Sequence, residues 1–355
     1  MIIRKETLRA VVALVTTVAI QSTAIAGIPK NGLGAIAVSN DGSTIYAAGD
    51  NRVLYVLDAK DLSVKKRVWI ELNPFELILT KDGKTLIMHD SSGLLTFLDA
   101  ETFTTKKTIE KAILITVAWD AGLIITTGNS SGRGENSKTK IMAYSLDAGK
   151  LVMKADVKGN IGAVSALSDA SKIFAITNGY KSKGEKKDKT PKDLRGIEKA
   201  TFKQKHDGYV SQVVTLKSDG SETARFTTWF NPGRGALMHS TSQGIKIASP
   251  SNVNALLDHT GKTVSLFKTE SFGHYGFSFT RDGKKLVSGG MKSGAVTKFD
   301  SGDSHKFKVK KIGGWPEYFR GFAIGPKGMI YGGTSAYRLV KVSPDGEILV
   351  QKPIF

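Results

Sequence analysis

The stretch DGSTIYAAGDNRVLYVLDAKDLSVKKRV (residues 41–68) aligns without a gap on DGKTLIMHDSSGLLTFLDAETFTTKKTI (residues 82–109), one period of 41 residues further on. A fixed period of this length marks a repeat architecture. Inside the first copy, four short apolar runs at 34–39, 44–48, 52–57 and 64–70 are separated by turn signals. Asp41-Gly42 stands between the first two runs and Asp61-Leu62 between the last two. Asp-Gly between alternating runs is the strongest short-range hairpin signal. Val53, Tyr55 and Leu57 alternate with Leu54, Val56 and Asp58. A run apolar on both faces belongs to a sheet that is covered on both sides.

The copies continue along the chain, more loosely. A third holds runs at 114–119, 123–127, 140–146 and 151–157, and a fourth at 163–167, 172–177, 211–216 and 222–228. The fifth has 236–240, 245–248, 253–257 and 263–268, and the sixth 275–280, 285–288, 295–299 and 306–312. The seventh has 321–324, 329–332, 338–342 and 347–351. Seven units of about 40–50 residues, each four strands long, predict an all-β, single-domain seven-bladed β-propeller. An open β-solenoid would show shorter periods and no four-strand unit.

The segments IYAAGDNRVLYVLDAKDLSVKKRV and LIMHDSSGLLTFLDAETFTTKKTI resemble the YVTN-type, WD-like repeat of exported bacterial propellers. The resemblance runs over residues 35–109 and returns in VSPDGEILV and FTRDGKKLVSGG. It implies a WD-like architecture and an exported location. It implies no activity, because the repeat residues of that family are structural and the fold carries many functions. Asp58, Asp99, Asp147 and Asp300 match the strand-ending Asp of the pattern and are expected to cap turns through backbone N–H groups.

The first residues read as a targeting segment. Arg4, Lys5 and Arg9 form a basic leader, residues 10–20 are almost unbroken apolar, and Ala24-Ile25-Ala26 offers small residues for cleavage. This predicts a signal peptide over 1–26, cut near Ala26, and a periplasmic or secreted propeller over 27–355. The apolar core is shorter than the roughly 20 residues that span a bilayer, and no later run is long enough to do so. With no Cys, an exported chain must hold together by packing and backbone pairing alone. The net charge of +19 falls to about +17 once the leader leaves with three cations and one anion. Such a surplus attracts anionic partners at long range.

In a propeller the loops joining strands 2 and 3, and one blade to the next, crowd one face around the central channel. The unevenness of this sequence lies there. Residues 129–138 (NSSGRGENSK) are rich in Gly, Ser and Asn, and residues 180–208 form an insertion with nine Lys and Arg195. With few apolar side chains to bury, the insertion is expected to be a loosely held flap. Lys181, Lys183, Lys186, Lys187, Lys189, Lys192 and Arg195 make it a basic arm for an anionic ligand or an acidic protein surface. Only Tyr180, Phe202 and Tyr209 interleave it, which argues against nucleic acid. The blade-to-blade links IELNPFE, TWFNPGR, SFGHYGF and GGWPEYFR gather Asn73, Glu76, Trp229, Asn231, Arg234, His274, Tyr275, Trp315, Glu317, Tyr318 and Arg320 on one rim. Convergent polar and aromatic groups at a concave mouth are the default binding site. Trp229, Trp315 and Phe319 also suit wedging between blades.

Local catalytic motifs do not occur. The six His stand at no metal-ligand spacing, and no nucleophile elbow, phosphate loop or haem-attachment pair is present. Neither a metal nor a cofactor is therefore expected. The sequence favours a non-catalytic binding scaffold in the cell envelope, for an anionic ligand or a partner protein. The alternative is a lactonase-like hydrolase or quinoprotein-like oxidoreductase at the channel mouth, with one residue per blade: Glu76, Arg234, His274 and Glu317.

Overall fold

The Asp-Gly turns at Asp41, Asp82 and Asp282 are each closed by their own carboxylate. Asp41 accepts hydrogen bonds from the Ser43 N–H (3.0 Å) and the Ser39 hydroxyl (2.5 Å). Asp82 accepts from the Lys84 N–H (3.0 Å) and Thr80 Oγ1 (2.6 Å), and Asp282 repeats this with Lys284 (3.0 Å) and Thr280 (2.6 Å). These local bonds satisfy turn donors and set the register of the hairpins on either side.

The computed structural model describes residues 32–132, 136–181, 189–206, 208–233, 235–251, 253–269, 276–291, 293–309 and 317–354. The expected signal peptide over 1–26 lies outside them. Seven antiparallel sheets follow one another, each with four main strands in chain order, and that of blade 4 carries a fifth, two-residue strand, Tyr180–Lys181. Blade 1 comprises Leu33–Val38, Thr44–Gly49, Val53–Asp58 and Val64–Trp69; blade 2 Pro74–Leu79, Thr85–Asp90, Leu95–Asp99 and Thr105–Ile109. Blade 3 is Leu114–Ala118, Leu123–Ser131, Lys138–Ser145 and Leu151–Lys158; blade 4 Ile161–Ala166, Lys172–Thr177, Tyr209–Lys217 and Glu222–Thr228. Blade 5 is Leu237–Thr241, Gly244–Ala248, Val253–Leu257 and Thr263–Lys268; blade 6 Gly276–Phe279, Lys285–Gly289, Ser293–Lys298 and Ser304–Lys308. Blade 7 is Phe319–Ile324, Ile330–Thr334, Arg338–Val342 and Ile348–Pro353. The seven-bladed, four-stranded propeller read from the repeat is the fold of the protein.

Position in the blade decides burial. The second strand of blade 2 is buried at every residue, whereas four of the five residues of its outer strand are exposed. Outer strands carry unpaired backbone edges, and here cations guard them: Lys65, Lys66 and Arg67 in blade 1, Lys106 and Lys107 in blade 2. In six blades the pairing of strands 3 and 4 shifts register by a residue, as between Val56 and Leu57 or Phe97 and Leu98. A bulge at this place adds the twist that swings an outer strand away from the channel axis.

The hydrophobic core is divided among the junctions. Seven clusters of buried apolar residues each join two neighbouring blades, as Leu54 and Ala48 of blade 1 meet Leu77 and Met88 of blade 2. Lysines bridge several junctions as well. Lys107 donates to the Gly149 carbonyl (2.7 Å), Lys246 to that of Gly283 (3.1 Å), Lys285 to that of Pro344 (2.9 Å) and Lys341 to that of Ala59 (2.8 Å).

The ring closes between blades 7 and 1 without a strand exchanged between termini. Here the backbones touch: a Cβ on Gly321 would lie 1.8 Å from the Gly34 carbonyl oxygen, and one on Gly49 2.0 Å from that of Gly32. The Tyr337 hydroxyl donates to Asp50 (2.5 Å) and accepts from the Asn51 N–H (2.7 Å), while the Gly32 N–H donates to the same carboxylate (3.0 Å). From the sequence this junction is expected to be the weak point of the ring. The twelve buried residues of its cluster, from Leu33 to Ile354, place it among the best packed junctions.

Candidate functional site

On the connecting face, part of the Lys-rich insertion is helical where a loosely held flap is expected. Residues Gly196–His206 form an α-helix, α1. The sequence disguises its amphipathic stripe, which consists of Ile197, Ala200 and Gln204 at helical spacing. Ile197 and Ala200 pack on the cluster between blades 4 and 5 with Phe230 and Val253. Gln204 accepts from the Asn231 N–H (3.0 Å) through Oε1, and Lys205 lies 5.2 Å from the centre of the Trp229 ring. Phe202 stacks on His206, one turn later, at 4.2 Å. Glu198 in the first turn and Lys203, Lys205 and His206 in the last suit the helix dipole.

Helix α1 and the outer edge of blade 5 enclose a trough of about 340 Å³, lined by Lys199, Lys203 and Lys268 together with Gln204 and Ser251. Among the described residues no carboxylate lines it. The basic residues singled out in the sequence are placed differently. Lys181 lies in the two-residue strand Tyr180–Lys181, which pairs with the third strand of blade 4. Lys189 and Lys192 are exposed, and Arg195 turns back on the Leu194 carbonyl (2.9 Å) and that of Lys192. Lys183, Lys186 and Lys187 lie outside the described residues.

Several rim residues are occupied in holding the fold. Asn231 caps its own link, accepting from the Gly179 (3.1 Å) and Gly233 (3.3 Å) N–H groups. Glu317 is buried in a bidentate ion pair with Arg338, in which Nε donates to Oε1 at 2.8 Å and the second nitrogen to Oε2. Phe319 is fully buried and stacks on Phe322 (5.1 Å), the wedge expected of it, and Trp229 packs on the blade 4–5 cluster. Asn73 sits partly exposed in the first link, and the Arg320 guanidinium lies 5.6 Å from the Tyr318 ring. Arg234, His274, Tyr275 and Trp315 fall outside the described residues.

Glu76 stands beside a histidine that sequence reasoning does not bring to it. His89, opposite it in the register, is buried, and its Nε2 donates to the Ala112 carbonyl (2.7 Å). That bond leaves Nδ1 as the acceptor nitrogen, without a hydrogen bond and 3.8 Å from the Glu76 carboxylate. Glu317 and Asp282 are held apart. One is bound to Arg338 on the connecting face, the other caps a turn on the opposite face. Of the strand-ending Asp residues, Asp58, Asp99 and Asp147 cap turns as expected, whereas Asp300 forms an ion pair with Lys246 of blade 5 (2.7 Å). Among the described residues no three His, Asp or Glu side chains gather as a metal site.

The ring of seven four-stranded sheets places this chain in the class of seven-bladed β-propellers. No family model matches the chain, and no curated protein matches it.

Proposed function

We propose that the protein is an exported, non-catalytic scaffold of the cell envelope that holds an acidic ligand on its connecting face, in the trough beside helix α1. The observation that carries this reading is the convergence of Lys199, Lys203 and Lys268 around one concavity with no carboxylate among its described walls. Three like charges at close quarters repel one another, and an anion seated among them relieves that repulsion. The leader over residues 1–26 and the YVTN-type resemblance support the exported location. Much of the remaining positive charge serves strand edges and blade junctions, so net charge alone does not locate the ligand.

The test separates site from net charge. A sulfated or phosphorylated polyanion is titrated against the full chain and against Lys199→Glu/Lys203→Glu, whose helix keeps Ile197 and Ala200. The control is Lys65→Glu/Lys66→Glu on the outer strand of blade 1, which changes the net charge equally. Affinity falls at least about tenfold in the first variant and much less in the second, and wild-type binding weakens steeply with salt. Equal losses in the two variants would refute a localised site.

A further inference from the structure

A side-chain contact on the face of the Asp-Gly turns joins two blades that are not neighbours. The Arg281 guanidinium, on the Asp282 turn of blade 6, lies 4.8 Å from the centre of the Trp119 ring, on the corresponding turn of blade 3. Blades 4 and 5 separate the two on one side of the ring, and blades 7, 1 and 2 on the other. Such a pair meets only by reaching across the mouth of the central channel. We propose that Arg281 and Trp119 form a latch that braces two arcs of the ring against each other across the channel.

The arcs show in the inner ring. The first strands of blades 3, 4 and 5 run side by side, and so do those of blades 6, 7, 1 and 2. Between blades 2 and 3, and between blades 5 and 6, the first strands approach each other least. Trp119 follows the first strand of blade 3, beside one gap, and Arg281 follows that of blade 6, beside the other. A tie between them therefore resists separation of the arcs at both gaps. Other cations bridge one gap each. Lys81 of blade 2 lies 4.0 Å from Asp120 of blade 3, and Lys246 of blade 5 donates to the Gly283 carbonyl (3.1 Å) and Asp300 (2.7 Å) of blade 6.

Both ends of the latch stand on fixed turns. Asp282 accepts from the Lys284 N–H and the Thr280 hydroxyl, which holds the turn from which Arg281 projects. The Gly283 backbone of the same turn rests on the His239 ring of blade 5, for a Cβ there would lie 2.1 Å from Cδ2. Trp119 packs on the apolar cluster between blades 2 and 3, and the Gly122 N–H donates to its carbonyl (3.3 Å). Arg281 is exposed and makes no hydrogen bond or ion pair among the described residues, so the indole is its partner. A guanidinium within about 6 Å of a ring centre is drawn to the negative face of the ring, and to that of Trp most strongly. The latch shares no residue with the trough beside α1, and neither depends on the other.

The chain contains no Cys, so a labelled pair can be introduced cleanly. Spin labels at Ser168→Cys in blade 4 and Lys327→Cys in blade 7, both exposed on turns of the same face, read the distance between the arcs in the full chain. The background with Arg281 and Trp119 intact gives a narrow distance distribution. Arg281→Gln broadens it towards longer distances, and Arg281→Lys, which keeps a cation for the ring, restores most of the narrowness. In hydrogen exchange without labels, amides of Leu114–Ala118 and Gly276–Phe279 open about two- to fivefold more readily in Arg281→Gln, as loss of an exposed cation–π pair dictates, while those of Leu33–Val38 do not change. In a Trp119→Leu background Arg281→Gln has no further effect, because the two side chains make one contact. The latch is refuted if Arg281→Gln leaves distance and exchange unaltered, or acts equally with and without the indole. Faster exchange in all blades alike also refutes it, since the loss is then one of general stability. Where Trp119→Leu does not fold, the contrast between Arg281→Gln and Arg281→Lys decides the matter.

Discussion

Glu317 and Arg338 are 8% and 3% exposed, and each finds in the other a bidentate partner. Removing two charges from water is costly, and the pair repays this only while both partners are present. Glu317→Gln is therefore expected to lower the unfolding free energy by about 3–5 kcal/mol, read from urea denaturation, because it strands a buried guanidinium. Glu317→Leu/Arg338→Met, with no charge to strand, recovers most of that loss. A double variant as unstable as the single one would show that the fold needs the polar pair itself. The same residue illustrates a limit of rim chemistry as a guide. An acidic side chain in a blade link looks like a ligand contact in the sequence, yet Glu317 and Asn231 spend their hydrogen bonds on the scaffold.

Turns and strands are the elements that could be read from sequence, since alternation, Asp-Gly pairs and the 41-residue period are all local signals. Helix α1 was hidden for a physical reason. Three of its eleven residues are Lys and only a narrow stripe is apolar, and what holds it lies elsewhere in the chain: Asn231 on Gln204, Trp229 beneath Lys205, Val253 against its apolar stripe. The trough and the contact across the channel were hidden likewise, because Lys268, Trp119 and Arg281 acquire meaning only when the blades are brought together. The turn elements also govern the response to acid. The Ser39 hydroxyl, then the Ser43 N–H, hold the Asp41 carboxyl down at about 2, and the Thr80 hydroxyl and Lys84 N–H lower that of Asp82. A carboxyl depressed by folding contributes stability above its unfolded value of about 3.9, and that stability is lost as pH falls towards the folded value. His239 is lowered too, by burial and then by Lys246. The fold therefore favours the neutral imidazole, and stability declines as pH drops below about 6.5, where the unfolded chain takes up the proton first. The urea midpoint is expected to fall in two steps, one beginning near pH 6.5 and one near pH 4. His239→Gln removes the first step, and Asp41→Asn with Asp82→Asn shrinks the second. A single step that His239→Gln leaves in place contradicts this account.

A ring of blades is as strong as its least packed junction, because each blade packs its core only against its two neighbours and opening one junction exposes both flanks. Among the described residues the blade 5–6 cluster contains three buried members, Ala248, Leu286 and Phe299, against twelve at the closing junction. Partly buried Phe267 and Phe279 pack edgewise and tilted on Phe299, at 4.8 and 5.4 Å, and Lys246 reaches across to Asp300 and the Gly283 carbonyl. This junction thus rests on a small aromatic group centred on Phe299 and on one bridging cation. Native-state hydrogen exchange is expected to show amides of Gly244–Ala248 and Lys285–Gly289 opening at lower free energy than those of Leu33–Val38 and Phe319–Ile324. Phe299→Ala costs about 3–5 kcal/mol and widens the gap by loosening blades 5 and 6 alone. Gly321→Ala acts at the other end of the ring, for its Cβ would stand 1.8 Å from the Gly34 carbonyl oxygen and the closing strands must part to admit it. In that variant the order of opening reverses, and blades 1 and 7 exchange first. Earlier exchange at blades 1 and 7 in the unaltered protein would place the weak junction at the closure and overturn the ranking drawn from packing.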